Sequence, residues 1–290
     1  MPKNVISAKS AGFCYGVKKA VDTAKKLKID NPDKKIYILG ALIHNALVTK
    51  ELEESGIYTV DELPQESDNA ICIIRTHGET PERIEEIKKA GFEVVDLTCP
   101  DVKKVQQKAI NLAQDGYFVV IIGKENHPEV VAIKANAALY SDKVLVINSV
   151  DEVLENREAL KSHKKIGIVI QTTQTIAHVQ EIISAIIPLA KELKIENTIC
   201  PSTSNRQKET LELAKSSDLV IVVGSKTSAN TTHLAQICEP LTKTIHIETA
   251  EELDNIKDLI QKSNNISVTA GASTPHDLIE KVLNKLRKGE

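Results

Sequence analysis

Short β-rich apolar runs ending in Gly, Thr or Cys alternate with amphipathic segments of helical period along the whole chain, the pattern of parallel sheets wound by helices. The expected class is α/β. The pattern also repeats. Three segments share one grammar of strand, loop cysteine and helix: Ile6 to Cys14 before Gly16 to Leu27, Val94 to Cys99 before Pro100 to Leu112, and Ile195 to Cys200 before Pro201 to Ala214. A second strand follows in each third, Ile36 to Gly40, Val119 to Gly123 and Val220 to Gly224, leading to His44, His127 and Ser228. Those glycines lie 26, 24 and 24 residues after the cysteines. A third unit follows, with His77, Thr172 and Ser273 lying 63, 73 and 73 residues after them.

These repeats predict three pseudo-threefold-related lobes, each a small parallel sheet wound by helices, spanning residues 1–98, 99–199 and 200–290. Ligands of open parallel sheets bind at the carboxyl ends of the strands, and nearly every reactive residue named above sits in such a loop. Three lobes packed about one axis would bring those loops to a single central cavity.

Composition narrows the partners. The 290 residues carry 37 basic and 40 acidic side chains, a net charge of -3, with 3% aromatics and no Trp, which argues against nucleic acid. The longest apolar runs, Tyr117 to Ile122 and Leu219 to Val223, fall well short of the ~20 residues of a membrane span. Met1 to Ala8 lacks the apolar stretch of a signal peptide. The expectation is a cytoplasmic protein whose five cysteines are thiols or metal ligands rather than disulfides.

Any one of these cysteines is most simply a small buried hydrophobe. Three at the same place in three repeats instead make a trigonal sulfur set. Cys99 and Cys200 each precede a proline, the favoured first residue of a helix, and the helix dipole there favours a thiolate. Cys14 lies in a Gly-Phe-Cys-Tyr-Gly turn. Cys72 and Cys238 have no repeated counterpart and read as structural. Structural zinc takes four ligands, commonly from close pairs; thiolates 85 and 101 residues apart fit an iron-sulfur cluster with one ligand missing and hence one open iron.

Around that set lie groups suited to an anion and to proton transfer. His44, His77 and His127 can donate hydrogen bonds. The loop from Gly224 through Ser228, Ala229 and Asn230, and the loop Gly271-Ala-Ser273, place hydroxyls and free amides at helix starts, where anions bind. Ordinary N-capping would account for either loop alone. Glu129, after His127 and Pro128, can act as a proton donor if burial raises its pKa, and Thr172 can relay a proton through its hydroxyl.

The motifs Gly12-Phe-Cys-Tyr-Gly-Val17, Thr76-His-Gly78, Thr98-Cys-Pro100, His127-Pro-Glu129, Gln171-Thr-Thr173, Asn205-Arg-Gln207, Val223-Gly-Ser-Lys226 and Thr269-Ala-Gly-Ala-Ser273 resemble, in order and spacing, the 4-hydroxy-3-methylbut-2-enyl diphosphate reductases. The likeness runs from Val5 to about Leu286. It implies a three-lobed α/β fold and the last step of the methylerythritol phosphate route to isoprenoids. In that step an allylic alcohol diphosphate takes two electrons and two protons, giving isopentenyl and dimethylallyl diphosphates plus water. By motif match Cys14, Cys99 and Cys200 would hold one 4Fe-4S cluster. His44, His77, His127, Thr172, Ser228, Ala229, Asn230 and Ser273 would bind substrate, and Glu129 and Thr172 would handle protons. Where a common form of the family pattern has two consecutive serines, this chain has Ser228 followed by Ala229, leaving a backbone N–H in place of one hydroxyl. No helix opens on the dinucleotide-binding pattern G-x-G-x-x-G, so electrons must come from a separate donor, for which the resemblance suggests ferredoxin or flavodoxin. The alternative is a dehydrating enzyme resembling quinolinate synthase, against which the His-Pro-Glu and Ser-x-Asn elements speak.

Overall fold

The computed structural model describes residues 4–288; the first three and last two residues, which open the expected first lobe and close the last, lie outside the described residues. In chain order come β1 (Asn4–Ser7), α1 (Tyr15–Asp30), β2 (Ile36–Leu39), α2 (Ala46–Glu54), β3 (Ile57–Val60), β4 (Ile71–Ile74), α3 (Pro81–Lys89) and β5 (Glu93–Asp96). Next are α4 (Pro100–Gln114), β6 (Phe118–Ile122), α5 (Pro128–Ala138), β7 (Val144–Ile147), α6 (Val150–Glu155), α7 (Arg157–Ser162), β8 (Lys165–Ile170), α8 (Ile176–Ile186) and β9 (Glu192–Ile195). The chain closes with α9 (Pro201–Lys215), β10 (Leu219–Val223), α10 (Ala229–Cys238), β11 (Lys243–Ile247), α11 (Lys257–Lys262), β12 (Asn265–Ala270) and α12 (His276–Lys288).

The strands form three four-stranded sheets, ordered β3-β2-β4-β5, β7-β6-β8-β9 and β1-β12-β10-β11, with every pairing parallel. Parallel strands covered by helices on both faces should be continuously apolar. Those of β6 and β10 are buried at all five positions. Alternation then divides the core: Phe118, Val120 and Ile122 pack with Ile168, Ile182 and Leu160, while Val119 and Ile121 pack with Val105, Leu112 and Ile133 on the opposite face. At about 1.5–3 kcal/mol for each fully buried side chain of this size, a one-residue slip of β6 would exchange the two sets and is strongly disfavoured.

The strands that lead into Cys14, Cys99 and Cys200 occupy edges. β5 lies beside β4, β9 beside β8, and β1 beside β12, so the first strand of the chain completes the sheet of the last third. The spacing placed β1 in the first lobe because it read strand and following helix as one unit. A strand need not share a sheet with the helix that follows it.

Backbone bonds give the three repeats a structural register. Gly40, Gly123 and Gly224 donate to Val60, Ile147 and Ile247 at 2.8, 3.0 and 2.9 Å. The amides of Cys99, Cys200 and Cys14 donate to the carbonyls of Thr76, Thr172 and Ala272 at 3.0, 3.0 and 3.2 Å. Thr172 is therefore the counterpart of Thr76 and Ala272. His77 and Ser273 correspond to Thr173, one residue later than the equal spacings of 73 suggest.

The chain divides into two compact units: one holds the chain up to Val21, Ile43–Glu54 and the chain from Pro201; the other holds Asp22–Leu42 and Ser55–Cys200. The first contains the sheet of β1, β10, β11 and β12, and the second contains the other two. No helix among the described residues is long and apolar enough to cross a membrane.

Candidate active site

Cys14, Cys99 and Cys200 are partly buried and form no disulfide. Each stands immediately before a helix, α1, α4 or α9, beside first-turn backbone amides that the helix itself does not use. The Cys14 Sγ already accepts from the Val17 amide at 3.5 Å. Cys99 is the N-cap of α4 with Pro100 as its first residue and no side-chain capping bond of its own. The Cys200 thiol donates to Asp101 Oδ2 at 3.1 Å, and that carboxylate is buried. Cys72 and Cys238, also free thiols, differ in their surroundings: both are fully buried in apolar clusters, and burial pushes their thiols up to about 11. The donor chemistry thus divides the five cysteines into three suited to a metal and two that are not.

In the larger unit, α5 begins after β6 with His127 as its N-cap. Its Nδ1 accepts from the Glu129 amide at 3.2 Å, so a neutral ring carries its proton on Nε2, away from the helix. The rings of His77 and His127 meet edge to face with centroids 5.4 Å apart. Glu129 is 2% exposed. Its two oxygens accept from the Thr172 amide and from the Thr172 hydroxyl, each at 2.7 Å. Burial pushes the carboxyl up to about 7, against the downward pull of those two bonds. A carboxylic acid held near neutrality beside a hydroxyl is suited to proton donation at physiological pH.

The smaller unit supplies the expected anion loops. Ser228 caps α10 through a bond of 3.4 Å from the Thr231 amide, a length near the limit for such a bond, so its hydroxyl is only weakly committed. Ala229 and Asn230 are the first two residues of the helix, where backbone amides are not used by the helix itself. Asn230 is buried, yet neither its amide nitrogen nor its oxygen has a hydrogen-bond partner. Leaving such a group unpaired costs about 1–3 kcal/mol. The Ser273 hydroxyl donates to the His44 carbonyl at 3.2 Å, and Asn45 Nδ2 donates to the Ser273 carbonyl at 2.9 Å, tying the His44 and Ser273 loops together.

Three contributors escaped the motif spacing. Asn45, not His44, caps α2 by accepting from the Leu47 and Val48 amides; the Asn-Ala step before the helix was its signal. Asp101 follows the Cys-Pro pair, and its bond to Cys200 spans 99 residues. Arg206 was visible only as part of Asn205-Arg-Gln207.

The family described as LytB protein matches residues 5–287. The 4-hydroxy-3-methylbut-2-enyl diphosphate reductase of Citrifermentans bemidjiense is 41% identical over 97% of this chain and 96% of its own length. That of Aquifex aeolicus is 39% identical over 98% and 96%. A solved structure of (E)-4-hydroxy-3-methyl-but-2-enyl diphosphate reductase, the terminal enzyme of the non-mevalonate pathway, covers 99% of both chains with a TM-score of 0.72 and 37% identity. The E-1-hydroxy-2-methyl-but-2-enyl-4-diphosphate reductase of Plasmodium falciparum covers 98% of this chain and 88% of its own, with a TM-score of 0.89 and 28% identity. None of these four relatives is a quinolinate synthase. With its three helix-wound parallel sheets and a match along nearly its whole length, the chain belongs to the LytB family.

Proposed function

We propose that this chain reduces (E)-4-hydroxy-3-methylbut-2-enyl diphosphate with two electrons and two protons to isopentenyl and dimethylallyl diphosphates and water. The observation that carries the reading is the buried, proton-holding Glu129 clasped by Thr172, in a chain alike over nearly its whole length to reductases of that name.

Cys14, Cys99 and Cys200 would hold a 4Fe-4S cluster with three cysteine ligands and one open iron. When bound, it supplies electrons and a Lewis acid for the substrate oxygen. The remaining work belongs to side chains. Glu129 delivers a proton to the departing hydroxyl as water forms, and the Thr172 hydroxyl passes protons to and from it. The second proton ends on carbon, which fixes whether the isopentenyl or dimethylallyl product forms. His44, His77, His127, Ser228, Asn230, Ser273 and the Ala229 amide bind the diphosphate. Holding the anion fixes the allylic alcohol in one pose, so that orientation is established before the bond breaks. Electrons come from a separate protein such as ferredoxin or flavodoxin.

The test is to give iron-loaded, anaerobic protein dithionite-reduced viologen with the allylic diphosphate, then with the same alcohol lacking its diphosphate. Dye oxidation with the first and formation of the two five-carbon diphosphates support the reading. Equal rates on the free alcohol would remove the anion-binding role, and no oxidation of dye by either would overturn the function.

A further inference from the structure

We infer that Arg206 is a positioning residue of this site, a buried guanidinium that holds the Cys14 loop and the Ser273 loop in one fixed register. The inference rests on the proposed roles of Cys14 and Ser273.

α9 buries an unusual face. Thr203, Arg206, Gln207, Thr210 and Ala214 recur at helical spacing and are all buried, whereas Leu211 and Leu213 on the same helix stay partly exposed. An amphipathic helix ordinarily does the reverse, and placing an arginine at 3% exposure is costly unless its donors are used. Both terminal nitrogens are engaged: Nη1 donates to the Ala270 carbonyl at 2.7 Å and Nη2 to the Gly12 carbonyl at 2.9 Å. Ala270 ends β12, three residues before Ser273, and Gly12 lies two residues before Cys14.

The same two loops are joined again between those points, since the Cys14 amide donates to the Ala272 carbonyl at 3.2 Å. Gly12 has a φ of +98°, and a Cβ there would come within 3.2 Å of Ile279 Cδ1, so the turn that presents its carbonyl to Arg206 requires glycine. One turn further along α9, Glu209 accepts from the Lys9 and Ser10 amides at 2.7 and 2.9 Å, holding the start of the same loop. Ser273 in turn is bonded to His44 and Asn45. The planar fork of Arg206 therefore acts with these ties to set the spacing between the Cys14 loop and the Ser273 loop. A lysine, with one compact ammonium, cannot reproduce that bidentate geometry.

The test uses the anaerobically loaded holoenzyme as wild type, Arg206→Lys, Arg206→Gln and the control Ile221→Val, which thins the core of the same sheet in the middle of β10. Two readouts are taken: the rate of iron loss to an external chelator, and KM and kcat for the diphosphate with reduced viologen. Outer-shell partners of metal sites typically cost roughly 10- to 100-fold in affinity or activity when removed. Arg206→Gln should accelerate iron loss and raise KM by factors in that range, Arg206→Lys should do so by less, and Ile221→Val should leave both unchanged. Wild-type iron retention and KM in Arg206→Gln would overturn the inference, as would equal changes in Ile221→Val. If Arg206→Gln fails to fold, Arg206→Lys decides alone on the same criteria. A wild-type protein that binds no iron sinks the functional reading instead, which keeps the two failures distinct.

Discussion

Replacing Glu129 by Gln separates the energetic consequence of burying this carboxyl from its chemical use. The carboxyl is pushed by burial from an ordinary 4.5 to about 7, a difference of roughly 2.5, worth about 3 kcal/mol at 1.36 kcal/mol each. The folded state holds the proton more tightly than the unfolded chain does. Stability from this group is therefore fully present below pH 4.5 and is lost as pH rises towards 7, with about 2–3 kcal/mol of the loss falling between pH 5 and pH 8. Gln cannot ionise. Its oxygen can accept from the Thr172 amide while its nitrogen donates to a reoriented Thr172 hydroxyl, so the variant should fold. Urea unfolding of apoprotein at pH 5 and pH 8 should show the Gln variant gaining on wild type by that amount as pH rises, other groups cancelling in the difference. Turnover of the loaded variant should fall by about 10²–10⁴-fold, the usual contribution of a positioned acid. A stability difference that does not change with pH would refute the buried-acid assignment, and near-normal turnover would refute its proton role.

Removing the Thr172 hydroxyl with Thr172→Val takes away a bond that lowers the Glu129 pKa, so the alkaline fall in activity should move to higher pH; an unmoved pH–rate profile would show that the hydroxyl does not govern this acid. Asn230→Ala should melt at or above the wild-type temperature, because about 1–3 kcal/mol of unpaired-amide penalty goes with the side chain, while KM for the diphosphate rises roughly tenfold, the equivalent of about 1.4 kcal/mol. A lower melting temperature with unchanged KM would count against a ligand role for that amide. Iodoacetamide should modify three of the five cysteines of folded apoprotein, sparing the buried Cys72 and Cys238; peptide mapping that finds either of these two modified first would contradict the division between ligand and structural thiols.

Much of this was legible in the chain itself because triplication magnifies weak signals. A lone cysteine before a proline says little, but Cys99 and Cys200 in matched settings, with Cys14 in a third, stand out from Cys72 and Cys238. The parallel α/β class followed from apolar runs as long as buried strands. Sheet membership did not, because hydrogen bonding between β1 and β12 joins residues such as Asn4 and Asn265 that no local pattern connects. The one-residue register of Thr172 was hidden for a related reason: each cysteine pairs with a loop of the sheet that its own strand completes, so spacings counted forward from the cysteine cross from one sheet to the next. The clasp between Thr172 and Glu129 spans 43 residues. Arg206 was least legible, since hydropathy alone would bury Leu211 and Leu213 and expose the arginine.

The most direct test of the whole account is iron and acid-labile sulfide analysis of anaerobically purified protein, with substrate-dependent oxidation of reduced viologen on the same sample, for wild type and for each of Cys14→Ser, Cys99→Ser and Cys200→Ser. Roughly four irons per chain and turnover in wild type, both lost in each single variant, are predicted for a three-cysteine cluster. Iron retained in full by any one of the three variants, or a wild-type chain that binds none after anaerobic reconstitution, would contradict it.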